Sequence, residues 1–287
     1  MQTFHRQLPS MGTNMDLVLP GAEPSLCDLL TDQIRMELDR IEQRLTVYRS
    51  DSDISVINRA AYKEPVELND EMLIVFKEVF TLYEETDGFF DITMKPVLDY
   101  YLEHGSAGFL PGRIAEMAGM DRIHLEDNRI RFLKKGVQID LGGYGKGYAV
   151  RKVLNILQSE EVESALISFG GSLVYGKGPH PYGDRWKVSV PLEDKGRAPV
   201  FYLKDEALST SGNSLNNQKK FANSGHIVNP ETLRIRKGTG LVSVQAEDPV
   251  RAEVFSTALF SAGKKRASDI AGRHPDLKIE CYFSSSL

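Results

Sequence analysis

Between Ile139 and Tyr148 the chain reads IDLGGYGKGY, with glycines at 142, 143, 145 and 147 and a lysine at 146. Glycine lets backbone amides approach a ligand closely, the start of a helix favours an anion, and Lys146 adds a point charge, so this segment could hold a phosphate. It is neither a Walker A loop nor a Rossmann fingerprint, and a tight strand-to-helix turn would read the same way. Glu253 and Thr257 lie four apart, with Ser256 beside them. On a helix that spacing puts the carboxylate and hydroxyl on one face, where both could reach a hard cation such as magnesium, although a solvated helix face has the same pattern. His226 sits in Gly225-His226-Ile227-Val228-Asn229-Pro230, between an apolar strand and a turn. A histidine there serves either as a structural hydrogen-bonding group or as a general base near neutral pH. Three further segments carry polar residues in turn contexts: Tyr48 to Ser55 with Asn58, Asp87 to Thr93, and Ser209 to Asn213. The first also reads as a cap and turn and the second as a loop.

The elements that must position these groups are legible to different degrees. From Leu26 to Leu45 the apolar residues Leu26, Leu30, Ile34, Leu38, Ile41 and Leu45 mark one stripe of an amphipathic helix. Asn69 or Asp70 caps a second helix, which carries Leu73, Phe76, Val79, Phe80 and Tyr83 and ends near Thr86-Asp87-Gly88. Arg129–Phe132, Val137–Leu141 and Ala165–Phe169 predict strands, and Tyr148–Leu157 has helical spacing between the last two. Trp186–Val190, Val200–Leu203 and Leu241–Gln245 add β-branched and aromatic strand signals. Asp248-Pro249 opens a last helix that runs through Phe260 and stops at Gly263.

The chain has 287 residues, 41% hydrophobic and 26% charged, with a net charge of −5. That composition supports a large core and excludes wholesale disorder, and the absence of a basic excess argues against a nucleic-acid binder. Cys27 and Cys281 are too few for a disulfide scaffold, and no Cys/His spacing suggests zinc. No apolar run is long enough for a membrane span or a signal peptide. As given, the chain reads as soluble and cytoplasmic; removal of an N-terminal signal would make it exported or lipid-anchored. No internal repeat or long linker interrupts it, so residues 1–287 read as one α+β domain.

Taken in order, Met11-Gly12-Thr13, Tyr48 to Asn58, Thr86 to Thr93, Asp140 to Ala149, Ser168-Phe169-Gly170-Gly171, Thr210-Ser211-Gly212, His226 to Thr232 and Ala252 to Phe260 resemble the ApbE family of FAD:protein FMN transferases. The resemblance implies a single domain of mixed and antiparallel sheets with packed helices, related to the tunnelling fold. It implies magnesium-dependent transfer of FMN from FAD to a threonine hydroxyl of an acceptor protein, with release of AMP. A metal-dependent FAD pyrophosphatase giving FMN and AMP, or a flavin-binding protein whose catalytic site has decayed, remains open beside it.

Carried over by position, the resemblance places FAD against Met11, Tyr48, Phe89, Phe90, Asp91, Asp140, Lys146 and Val228, and the cation against Gly143, Glu253, Ser256 and Thr257. His226 becomes the base that activates the acceptor hydroxyl. Glu253 and Asn229 stand where the family usually has aspartate, and Leu233 where it usually has glycine. The extra methylene of Glu253 is expected to move its carboxylate by over ~1 Å, which magnesium, with oxygen distances of ~2.1 Å, should feel. Leu233 is expected to impose a different turn.

Overall fold

In the computed structural model, which describes residues 2–106, 108–191, 198–213, 226–236 and 240–283, the chain opens with a β-hairpin. Its strands are β1 (Thr3–Ser10) and β2 (Thr13–Pro20). Ser10 pairs with Thr13 across a two-residue turn in which Met11 and Gly12 have φ of 50° and 69°. Two positive φ values make a type I′ turn, whose twist matches that of antiparallel strands.

This hairpin edges a seven-stranded sheet in the order β1-β2-β6-β7-β10-β13-β14. The later strands are β6 (Ala165–Phe169), β7 (Leu173–Lys177), β10 (Glu206–Asn213), β13 (Gly240–Ala246) and β14 (Lys278–Phe283). Every neighbouring pair is antiparallel. The period-2 alternation of strands sorts the side chains onto two faces. Met15, Leu17, Ile167, Phe169, Leu173, Val242 and Val244 enter the main core, where α1 (Pro24–Leu45), α6 (Gly145–Ser159) and α7 (Pro249–Ala271) pack. On the other face, Leu208 joins Trp186 and Phe201 of the hairpin β8 (Trp186–Ser189) and β9 (Val200–Leu203). Trp186 lies so close to Gly176 that a Cβ there would be 2.8 Å from its ring.

In sequence between β2 and β6 come α2 (Asp53–Ala60) and α3 (Asp70–Glu85), which join the main core, α4 (Lys95–His104), which packs in a smaller cluster, and the short α5 (Gly112–Ala115). The strands β3 (Val66–Glu67), β4 (Ile123–Glu126) and β5 (Arg129–Phe132) form a second sheet, and β11 (Val228–Asn229) pairs with β12 (Arg234–Ile235). Among the described residues no helix is long and apolar enough to cross a membrane.

Two sequence expectations change. Val137–Leu141 makes no strand; instead the Asn58 amide grips Ile139 from both sides, donating to its carbonyl at 2.9 Å and accepting from its N–H at 2.8 Å. The last helix breaks at Gly263, with φ 76° and ψ 170°, but resumes to Ala271 rather than ending there. Gly225 of the histidine motif lies outside the described residues.

Candidate active site

The crossing of α6 and α7 is the structural centre of the site. A Cβ on Gly147 would stand 2.7 Å from the Pro249 carbonyl oxygen and from Val250 Cα, so glycine is what lets the two helices touch at their N-terminal ends. That approach aims Glu253 at the first turn of α6. The Gly147 N–H donates to Glu253 Oε2 at 2.6 Å, and the Lys146 ammonium donates to Oε1. Glu253 is only 2% exposed, so its charge is met inside the protein by a cation and a helix N-terminus together. Behind this turn, Tyr144 donates to Glu78 at 2.5 Å and Tyr148 to Glu71 at 2.5 Å. Arg40 chelates Glu71, holding its carboxyl down at about 2, and Arg151 bridges Glu78 to Asp248.

One turn further along α7, Thr257 faces Gly143. A Cβ on Gly143 would sit 3.4 Å from Thr257 Cγ2 and Phe90 and 3.5 Å from Thr257 Oγ1, which is ordinary contact distance, so the Gly143 peptide lies directly against the hydroxyl. Glu253, Thr257 and Ser261, spaced four apart, all line one cavity of 1510 Å³, well above the ~300–1,000 Å³ of ordinary ligand pockets.

The same cavity collects residues from across the chain. Tyr48 stands beside it 92% exposed, its ring free to lie against a flat ligand. Phe89 and Phe90 form a buried wall; the Thr86 hydroxyl, at the end of α3, accepts the Phe90 N–H at 3.1 Å. Asp91 is held by the N–H and hydroxyl of Thr93, at 2.7 and 2.5 Å, yet burial outweighs these bonds and pushes its carboxyl up to about 6. Asp140 is likewise raised by burial, against the pull of the Gly142 N–H at 2.9 Å. His226, exposed, and Val228, buried on β11, line it as well.

The sequence pattern of the ApbE family matches residues 11–283. The chain belongs to the ApbE family. It is 24% identical to a FAD:protein FMN transferase of Vibrio cholerae over 94% of this chain and 84% of that protein. It is 25% identical to one of Escherichia coli over 92% and 80%. Among solved structures, the flavin transferase ApbE from Vibrio cholerae superposes with a TM-score of 0.82 at 23% identity, covering 99% of this chain and 98% of that one. The apo flavinyl transferase ApbE of Pseudomonas stutzeri gives 0.85 at 21% identity, covering 99% and 92%.

Of the thirteen residues that the ApbE resemblance assigns to the site, two do not line the cavity. Met11 packs its sulfur 3.7 Å from the Cβ position of Gly145, and its N–H donates to Glu42 at 2.7 Å. Ser256 is fully buried behind Thr257. Sequence reasoning had not assigned Ser211, Ser261 or Lys264 to the site, and all three line the cavity. Ser261 could have been found by extending the 253, 257 spacing one more turn; Ser211 shares a strand face with Ser209, a period-2 signal hidden in a polar stretch.

Two of the departures from the ApbE pattern resolve locally. Leu233 takes a left-handed φ of 52°, the region glycine enters most freely, with its N–H on the Asn229 carbonyl at 2.8 Å. The Asn229 side-chain oxygen accepts from the Thr232 N–H at 2.9 Å, and its amide donates to the Ser261 carbonyl at 2.9 Å, a bond aspartate could not make.

Among the described residues no three His, Cys, Asp or Glu side chains are grouped to hold a metal. A cation here would therefore draw on hydroxyl and carbonyl oxygens with one carboxylate. Thr257, Glu253 and the Gly143 peptide are such a set, and hard oxygen donors of this kind suit magnesium.

Proposed function

We propose that this protein is a magnesium-dependent transferase that moves FMN from FAD to a threonine hydroxyl of an acceptor protein and releases AMP. The observation that carries the reading is the convergence of eleven of the thirteen assigned residues, from position 48 to 257, on one cavity large enough for a dinucleotide. The names of the curated relatives support the same activity.

In this reading the acceptor threonine oxygen forms a bond to the FMN phosphorus while the bond from that phosphorus to the AMP oxygen breaks. The hydroxyl proton passes to a ring nitrogen of His226, which stands at the exposed side of the cavity where a protein segment can enter. Tyr48 and the Phe89–Phe90 wall supply apolar surface for the flavin and exclude water beneath it. Lys146 contributes positive charge next to the glycine turn. Magnesium, held by Thr257, Glu253 and the Gly143 carbonyl, would neutralise charge on the diphosphate oxygens.

Incubation with FAD and magnesium, with and without an acceptor domain bearing a threonine, tests this. AMP and denaturation-resistant protein fluorescence should appear together only when acceptor is present. Equal AMP in both arms with no covalent flavin would replace the transferase by a pyrophosphatase, and no AMP in either would leave a binding protein.

A further inference from the structure

The hydroxyl groups between β10 and α7 form a chain whose proton count fixes what Thr257 presents to the cavity. Each serine or threonine hydroxyl has one proton to donate and two lone pairs to accept with. Ser256, fully buried, gives its proton to the Glu253 carbonyl at 3.0 Å. Its contacts with Ser209 and Ser211, both 2.9 Å, are then hydrogen bonds only if both serines donate to it. That uses the Ser211 proton. The remaining contact, Ser211 Oγ to Thr257 Oγ1 at 3.3 Å, is a hydrogen bond only if Thr257 donates. Thr257 therefore turns its proton inward to β10 and its lone pairs outward to the cavity.

We propose that Ser211 is a positioning residue, backed by Ser256, that locks the Thr257 hydroxyl as an acceptor and so selects a cation or an N–H donor over an anion at that spot. The inference rests on the reading of Thr257 as a cation ligand given above. It also assigns Ser256 a role distinct from direct ligation, since all three of its hydrogen-bonding capacities are spent inside the protein. Without the Ser211 oxygen, Thr257 is free to rotate and point its proton at the incoming cation. Without Ser256, the freed Ser211 proton can turn to Thr257 and reverse the direction of that bond.

The test is binding of manganese(II) to the whole protein, free of FAD and acceptor, followed by the loss of the free-ion electron paramagnetic resonance signal, with magnesium as competitor. Ser211→Ala should weaken binding roughly five- to tenfold, the scale of one hydrogen bond. Ser256→Ala should do the same although it does not line the cavity, and the double variant should be no worse than either single one. Ser211→Thr, which restores a hydroxyl, should return the affinity to within about twofold.

Ser209→Ala, which removes an equivalent bond to Ser256 but touches nothing at Thr257, should leave the affinity unchanged. Its melting temperature should nonetheless fall about as far as that of Ser211→Ala, which separates a packing defect from loss of positioning. Equal effects of Ser209→Ala and Ser211→Ala on manganese affinity would overturn the proposal, as would additive effects of Ser211→Ala and Ser256→Ala. If Thr257→Ala weakens manganese binding but neither serine variant does, the proton relay fails while the cation reading stands. If Thr257→Ala itself has no effect, the cation reading at Thr257 falls first and takes the relay with it.

Discussion

Gly147→Ala sets helix propensity against helix packing and gives them opposite signs. In a helix interior, alanine is favoured over glycine by about 1 kcal/mol, so propensity alone makes this a stabilising change. Here the added Cβ would meet the Pro249 carbonyl oxygen and Val250 Cα at 2.7 Å and the Val250 nitrogen at 2.9 Å, against 3.4 Å for ordinary contact. Relief needs a shift of about 0.7 Å, and because all three atoms belong to the backbone no side chain can turn aside. Overpacking of this kind costs about 1–3 kcal/mol, so the net loss after the propensity gain should be up to about 2 kcal/mol. The displacement falls on α7 between its cap, Asp248, and Glu253, whose carboxylate is seated on the Gly147 N–H itself. Transfer should therefore fall more than stability does, by up to about a hundredfold if the reacting groups move by most of an ångström. Urea unfolding gives the stability change, and AMP release with acceptor gives the rate. A Gly147→Ala protein as stable as wild type, or more stable, with normal turnover would refute the claim that this glycine exists for the helix crossing.

The other expectations are smaller perturbations of the same frame. Lys146→Met leaves the buried Glu253 carboxylate with only the Gly147 N–H and should cost about 3 kcal/mol in chemical unfolding; adding Glu253→Gln should recover part of it, and strictly additive losses would contradict the pairing. Asp91, raised to about 6 by burial, binds its proton in the folded state at a pH where the unfolded chain has released it. Its contribution should therefore make stability fall as pH rises from about 4 through 6 and then level off, by at most about 3 kcal/mol and less because the cavity admits water. The difference between wild-type and Asp91→Asn urea midpoints across that range measures it, and parallel profiles would count against the assignment. Asn58→Asp keeps an acceptor for the Ile139 N–H but sets a carboxylate against the Ile139 carbonyl; a loss of about 2 kcal/mol is expected in thermal unfolding, and none would show that the 137–141 segment holds itself.

What the sequence revealed follows from how each element is stabilised. α1 buries a continuous apolar stripe, Leu30, Ile34, Leu38 and Ile41, so periodicity alone located it. The strand β10 has the opposite character: its inward residues are Ala207, Ser209 and Ser211, small groups that pack against a helix but give no apolar alternation. α4 buries only a few residues against a minor cluster around Val97 and Tyr101, too little for a strong periodic signal. Val137 to Leu141 has the composition of a strand because it is buried, but Ile139 bonds to a side chain 81 residues earlier and the Asp140 N–H to the Ile92 carbonyl at 2.8 Å, pairings that no local pattern encodes. For the site, the helical spacing of Glu253 and Thr257 was legible because one helix carries both. The Lys146–Glu253 pair was not, since it depends on the closeness of two helices that only Gly147 permits.

The departures from the family pattern bear on whether the site has decayed. A decayed site should leave polar groups without partners where those residues differ from the expected ones. At 229 the asparagine keeps the turn bond that an aspartate oxygen would make and adds one to Ser261, itself on the cavity wall. At 233 the leucine adopts a left-handed backbone, a conformation that costs about 1–2 kcal/mol. Leu233 packs its side chain against the cluster of Val97 and Tyr101, and Tyr101 donates to its carbonyl at 3.1 Å, so burial and a hydrogen bond offset that strain. At 253 the longer side chain spans from α7 to the first turn of α6 and finds both a lysine and an N–H there. Each substitution thus comes with the contact that accommodates it, in a loop and a helix that both line the same cavity. None of the three positions therefore leaves an unpaired polar group at the cavity, which fits a working site better than a decayed one.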